Sequence, residues 1–261
     1  MKILTFVGSY RVHGNTAQVV GLIEEGLHQV AARSNETLEI ERVYLGHQDI
    51  RPCRGCRVCF DVGEEACPLK DDLLALKAKM AEADGIVVAS PVYVNDVSGT
   101  VKNWIDRLAF VCHRPEFADK TAYLVATVGS GPTNHALRTM DIALQTWGFH
   151  VVGQMGFKMG ALMKQDEAEA RFREKAERIA QEFFYAIHDR QAARPSFFSL
   201  MAFKIRQRYW QRAVQNSIDL EYWKNRGWTE PHREFYIPHQ ANRVKVATAR
   251  LAGAVIGRFV T

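Results

Sequence analysis

No stretch of this sequence is apolar for long enough to cross a bilayer, and the opening run Ile3–Val7 breaks at Gly8, too short for the h-region of a signal peptide. A cytoplasmic protein is the expectation. Several common signatures are also missing. There is no Gly-Lys-Ser/Thr of a Walker loop and no Gly-x-Gly-x-x-Gly of a dinucleotide fold. Ser130 does not sit in the Gly-x-Ser-x-Gly of a hydrolase elbow, and no cysteine has an arginine six residues on, which excludes a phosphatase loop. Internal repeats and low-complexity segments are lacking. Cysteine is scarce, with four of the five crowded between Cys53 and Cys67, too tight and too odd in number for a secreted disulfide framework. Reduced thiols or metal ligands are expected. Acidic residues thin out late in the chain: residues 194–261 carry 12 Lys+Arg against 4 Asp+Glu, whereas residues 1–193 carry 22 against 25.

What is present suits a globular protein, since 47% hydrophobic and 24% charged residues are ordinary values for one. Lys2–Val7 reads as a central strand, and Val19, Ile23, Leu27 and Val30 follow at helical spacing. Thr37–Val43 predicts a second strand. A long segment, 45–72, holds the cysteines, and Asp71 and Asp72 open a helix through about Ala81. Gly85–Ser90 is a buried strand that Pro91 is expected to stop, because proline has no N–H for a ladder. A helix over Gly99–Cys112, a strand over Ala122–Val128, a helix to Trp147 and a strand over Val151–Met155 complete five alternating repeats. The alternation predicts an α/β fold with a doubly wound parallel sheet. Residues 164–189 read as a charged helix. We expect one domain over 1–190, with a Cys-rich loop at 45–72, and a basic, aromatic-rich helical extension over 191–261.

In such sheets ligands sit beyond the carboxyl ends of the strands. Three loops of special composition follow strands at that edge: 8–16, 90–95 and 127–132. In the first, Ser9 and Thr16 offer hydroxyls, Asn15 an amide, Arg11 a cation, and the helix opening near Asn15 offers unpaired N–H groups. That chemistry suits a singly phosphorylated ligand such as flavin mononucleotide (FMN). The plainer reading is a strand-to-helix turn in which Asn15 or Thr16 merely caps the helix.

Gly-Ser-x-Arg-x-x-Gly-Asn-Thr after the first strand, Ser-Pro-Val-Tyr after the third and Gly-Ser-Gly after the fourth together resemble the NADPH-dependent FMN reductase family of flavodoxin-like proteins. With the cysteines, the chain is similar to its iron-sulfur flavoprotein branch over roughly residues 1–185. The resemblance implies a five-stranded flavodoxin-like sheet in the order 2-1-3-4-5 with FMN at the switch point. It assigns the FMN phosphate to Ser9, Arg11, Gly14, Asn15 and Thr16. Pro91, Val92, Tyr93, Val94 and Asn95 would lie along the isoalloxazine, and Gly129, Ser130 and Gly131 would approach it with backbone alone. Chemistry would then belong to the cofactor, with no side-chain nucleophile or base required.

Cys53-x2-Cys56-x2-Cys59 is the three-cysteine run that seats three corners of a cubane, and Cys67 lies near enough to close it. Three readings stay open: a [4Fe-4S] cluster, free thiols, or zinc, although structural zinc usually draws on two separated pairs. Cys112 reads as core filler. In the extension, aromatics interleave with arginines. At this density they fit burial against the body or a partner subunit better than a membrane surface, an anionic partner or nucleic acid, although an amphipathic final helix is also compatible with lying on a membrane. The last stretch sets Val244, Ala247, Leu251, Val255 and Phe259 on one helical stripe and Arg243, Arg250 and Arg258 on another. The activity expected is an FMN-dependent oxidoreductase. It would take hydride from NAD(P)H and pass electrons to a quinone, a flavin or a protein, with a cluster as relay, in a homo-dimer or tetramer. The alternative is a non-enzymatic electron carrier.

Overall fold

The computed structural model describes residues 1–160, 165–189 and 193–259. Five parallel strands form its centre: β1 (Lys2–Val7), β2 (Glu39–Tyr44), β3 (Gly85–Tyr93), β5 (Thr121–Val128) and β6 (His150–Lys158). They lie in the order β2-β1-β3-β5-β6, and a two-residue strand β4 (Asp96–Val97) pairs antiparallel with the end of β3. With β4 set aside, this is the expected flavodoxin-like order.

The sheet is buried on both faces, which explains the unbroken apolar runs. Side chains alternate across a strand, so Leu4 and Phe6 of β1 face one side, Ile3 and Val7 the other. Leu4, Phe6, Ile86, Val88 and Leu124 pack against α3 (Leu73–Glu82), α4 (Gly99–Arg107) and α5 (Asn134–Trp147), through Met80, Trp104 and Trp147. Ile3, Val7, Val87 and Val125 pack against α1 (Asn15–Arg33) and α6 (Gln165–His188), through Ile23, Leu27, Phe183 and Phe184.

Several expected boundaries move, the last strand among them, expected over Val151–Met155 and observed over His150–Lys158. Pro91 does not stop its strand: β3 continues to Tyr93, with Pro91 registered against Thr127 of β5. The Ala89 carbonyl faces β1, where it accepts from Gly8 N, so by alternation the Pro91 nitrogen faces the same side, past the point where β1 has ended. No ladder bond is lost there. The helix expected over Gly99–Cys112 ends at Arg107 and continues as a 3-10 turn over Ala109–Cys112. The segment 45–72 carries short elements, including α2 (Val58–Asp61) and 3-10 turns at Leu45–His47 and Glu64–Ala66. Cys112 packs against the core, as expected.

The extension forms α7 (Phe197–Arg212), α8 (Ile218–Asn225) and α9 (Arg243–Ile256). Many of its aromatics are buried: Phe203, Trp223, Trp228 and Tyr236 share one cluster, with Phe203 and Trp223 stacked at 5.6 Å, whereas Phe198, Tyr209 and Phe259 are exposed. Burying rings of this size gives the extension a core of its own. It is fastened to the body by Trp223 Nε1 donating to the His113 carbonyl (2.8 Å), by Tyr222 OH donating to the Pro115 carbonyl (3.2 Å) and by Arg114 bonding Asp219. The expected boundary at residues 190 and 191 lies outside the described residues, as does the first residue of the helix expected over 164–189.

Candidate functional site

The three loops expected to carry the site meet on one rim. After β1 the chain cannot rise freely, because Gly8 N donates to Ala89 O (2.7 Å) and its carbonyl accepts from Ser98 Oγ (2.7 Å) and Thr100 Oγ1 (3.2 Å). A Cβ on Gly8 would lie 2.2 Å from Val101 Cγ2, so only glycine fits. The loop then turns tightly: Arg11 N donates to Ser9 Oγ (3.0 Å) and Gly14 N to Arg11 O (3.2 Å). Ser9 is buried while Arg11, Val12 and His13 are exposed. Because its oxygen already accepts, the Ser9 hydroxyl keeps its proton for a ligand.

Gly14 is the N-cap of α1, without a side-chain cap. Capping by Asn15 or Thr16 is therefore not what these residues do. Gln18 N, donating to Gly14 O at 3.0 Å, opens the helical ladder, so the N–H groups of Asn15, Thr16 and Ala17 have no acceptor within the helix. Asn15 Nδ2 donates to Gly160 O (3.1 Å), tying α1 to the end of β6. Thr16 turns inward and shares a hydrogen bond with Thr127 Oγ1 (2.7 Å), both side chains being buried. One proton is spent between two hydroxyls and one is left to donate.

The second loop is the hairpin between β3 and β4. Its central residues, Val94 and Asn95, have φ of 47° and 69°. Asparagine tolerates that region, but valine is β-branched and strained there. Tyr93 is 58% exposed and Val94 wholly so, which sets apolar surface on the rim beside a strained turn. Asp96 anchors the hairpin to α5: its Oδ1 accepts from Thr139 Oγ1 (2.8 Å) and lies 3.5 Å from His135 Nδ1. Burial resists ionisation of Asp96, yet the Val97 N–H, the Thr139 hydroxyl and His135 hold its carboxyl below the ordinary range. The third loop presents Gly129, Ser130 and Gly131, all exposed, and Gly160 N donates to Gly129 O (3.1 Å).

Ser98, Thr127, Asp96 and Gly160 complete the rim and were not singled out in the sequence. Ser98 carries an N-cap signal, and its Oγ does cap α4 at Val101 N. Its bond to Gly8, 90 residues away, has no local signature.

The four clustered cysteines are free and line one cavity of about 90 Å³, partly open to solvent. Cys53 and Cys56 are exposed, Cys59 and Cys67 half-buried. The Gly55 N–H points at Cys53 Sγ (3.4 Å). Burial, then the nearby Cys67 and Cys53 sulfurs, push the Cys59 thiol above its usual value, which marks the three as neighbours. Among the described residues, no three Cys, His, Asp or Glu side chains stand in a metal-holding arrangement. The chemistry of the donor set suits an iron-sulfur cluster, with four thiols lining one cavity and Arg54, Arg57 and Arg107 in its wall to offset negative charge, although the four sulfurs do not stand in ligating positions here.

Both ends of this loop are pinned. Asp49 N donates to Asp72 Oδ2 (2.8 Å), Asp72 N to Asp49 O (2.9 Å), and Asn103 Nδ2 to Ile50 O (2.6 Å). Deeper in, Arg114 bonds Glu64, the Cys59 carbonyl (2.8 Å) and Asp219 of the extension.

Comparison with known proteins follows the same lines. Residues 1–161 match the model of a family described as NADPH-dependent FMN reductase. An iron-sulfur flavoprotein of Archaeoglobus fulgidus is 27% identical over 234 residues, which is 87% of this chain and 100% of that protein. An iron-sulfur flavoprotein of Methanosarcina thermophila is 28% identical over 155 residues, 59% of this chain and 76% of its own. A solved flavone reductase superposes with a TM-score of 0.57 at 19% identity, covering 74% of this chain and 65% of that one, which speaks to fold alone.

Proposed function

The chain belongs to the NADPH-dependent FMN reductase family, and from that premise we propose that it oxidises NAD(P)H on FMN seated across the rim and passes the electrons to a quinone, a free flavin or a protein. We assign a [4Fe-4S] relay to Cys53, Cys56, Cys59 and Cys67. The observation that carries the FMN site is the meeting of three things on one rim: unpartnered N–H groups opening α1, a strained hairpin at Val94 and Asn95, and an exposed glycine loop at 129–131.

When bound, FMN supplies hydride acceptance and the release of electrons one at a time. The chain's part is to hold and to shape. The N–H groups of Asn15, Thr16 and Ala17, with the Ser9 hydroxyl and the Arg11 guanidinium, would receive the phosphate, because a helix N-terminus favours an anion. Pro91 to Asn95 would support the ring, with Tyr93 at its edge. Gly129 to Gly131 would bring backbone donors near it without a side chain in the way. Tyr93 and Val94 leave apolar surface that the nicotinamide, or a second copy in a homo-dimer or tetramer, would cover.

An anaerobic absorption spectrum followed by NADPH and NADH titration tests this reading. Flavin bleaching by substoichiometric NAD(P)H, with steady turnover on a quinone or free flavin, supports an enzyme. Bound flavin that reduced nicotinamide does not bleach would mark a carrier instead. Iron and sulfide near four per chain would support the relay, and their absence after anaerobic reconstitution would remove it.

A further inference from the structure

We propose that α9 is a surface anchor that lies on bilayers rich in anionic lipid. This goes beyond the redox assignment and does not depend on it. The helix is held to the extension by one face only. Val246, Ala249 and Gly253 are buried on that face, and a Cβ on Gly253 would stand 2.7 Å from Met201 O of α7, so the two backbones are in close approach. Arg208 Nη1 donates to Ala254 O (3.1 Å) and Arg212 Nη1 to Gly257 O (3.2 Å), satisfying carbonyls that the end of α9 leaves open.

The opposite face is apolar and uncovered. Val244, Leu251 and Val255 are 70%, 68% and 48% exposed, and their spacing of seven and four residues puts them on one stripe; Phe259, 83% exposed, follows three residues past the end of the helix. Exposed Arg243, Lys245 and Arg258 flank the stripe, and none takes part in an ion pair among the described residues. Residues 243–259 contain no Asp or Glu.

Charge decides what covers this face. A two-fold pairing of α9 with itself would set these cations against their own equivalents, with no acidic group on the helix to offset them. Anionic headgroups meet the flanks and acyl chains meet the stripe, which is the division an interfacial helix makes. The helix lies on the surface and does not cross, because its 14 residues reach only about 21 Å.

The test is sedimentation of the FMN-loaded 261-residue chain with vesicles of phosphatidylglycerol and phosphatidylcholine, against vesicles of phosphatidylcholine alone. We expect binding to the anionic vesicles, weakened about tenfold or more on neutral ones and by raised salt. The double variant L251S/F259S should lose about tenfold or more in vesicle affinity while keeping its flavin spectrum and circular dichroism. Failure of the wild-type chain to bind anionic vesicles at low salt overturns the proposal without recourse to any variant. So does vesicle binding that L251S/F259S leaves unchanged. A light-scattering mass for a dimer that L251S/F259S dissolves, with no vesicle binding, would assign the stripe to a second copy.

Discussion

The carboxylate of Asp71 receives both terminal nitrogens of Arg107, Nη1 at 2.5 Å and Nη2 at 3.1 Å, with 1% and 3% of the two side chains exposed. Arg107 also donates to the Arg51 carbonyl (2.6 Å), and Asp71 accepts from Arg51 N (3.1 Å). One buried pair thus fastens the entry of the cysteine loop to its exit and both to α4. Burial alone would disfavour the Asp71 charge, but Arg107 and the N–H groups of Arg51 and Leu73 hold its carboxyl below the usual range.

Removing one partner of such a pair leaves a buried charge unmatched, which costs about 3 kcal/mol or more. Arg107→Met is therefore expected to lower the urea midpoint strongly and to reduce iron incorporation, with flavin content less affected. An unchanged midpoint would mean the pair does not hold the loop.

The cysteine assignment predicts separable cofactors. Cys56→Ser and Cys59→Ser should each lose most of the iron and acid-labile sulfide while keeping FMN, because the cysteine loop and the rim loops are built from different segments. Iron and sulfide assays beside the flavin absorbance check this; loss of both cofactors together would couple the two sites.

Ser9 tests the phosphate cradle. Among the described residues its buried hydroxyl has an unspent donor, and a hydrogen bond to a charged acceptor is worth about 1.5–3 kcal/mol. Ser9→Ala should raise the FMN dissociation constant by about ten- to a hundredfold in fluorescence titration. Equal affinity would place the phosphate elsewhere.

Val94 is expected to destabilise the flavin-free protein. A β-branched residue at φ 47° costs about 1 kcal/mol or more, whereas asparagine tolerates the region. Val94→Asn should raise the midpoint of thermal unfolding by a few degrees. If the midpoint falls, the turn is not strained as the dihedral implies.

A pH effect follows from His150, half-buried at the start of β6, where burial alone lowers its pKa from the ordinary 6.5. The unfolded chain then takes up this proton more readily than the folded one. The contribution is fully present above about pH 6.5 and is lost as the pH falls towards the lower folded value. His150→Asn should flatten the fall in stability between about pH 7 and pH 5 in urea titrations at several pH values.

Much of this molecule is readable locally. The unbroken apolar runs at Ile3–Val7 and Gly85–Ser90 announce strands covered on both faces, and the alternation with helices predicts the parallel sheet, whereas its order came from the resemblance to flavodoxin-like reductases. Cys53, Cys56, Cys59 and Cys67 are visible as a donor set from spacing alone, and the aromatics of the extension as a buried cluster. Pro91 misleads because its cost depends on whether a neighbouring strand still runs beside it, and β1 has ended by then.

Sequence by itself determined the layers and the chemical types at the rim, since apolar period, helix-opening residues and donor identity are properties of a residue and its near neighbours. Only the tertiary structure decided that Thr16 meets Thr127, that Ser98 holds Gly8, that Asp71 finds Arg107, and that α9 buries its small residues and turns Val244 and Leu251 outward. Those pairings join segments 36 to 111 residues apart, and a helix with apolar residues on two faces does not announce which face its neighbours will cover. Chain connectivity and packing settle both, and neither is written in a local window.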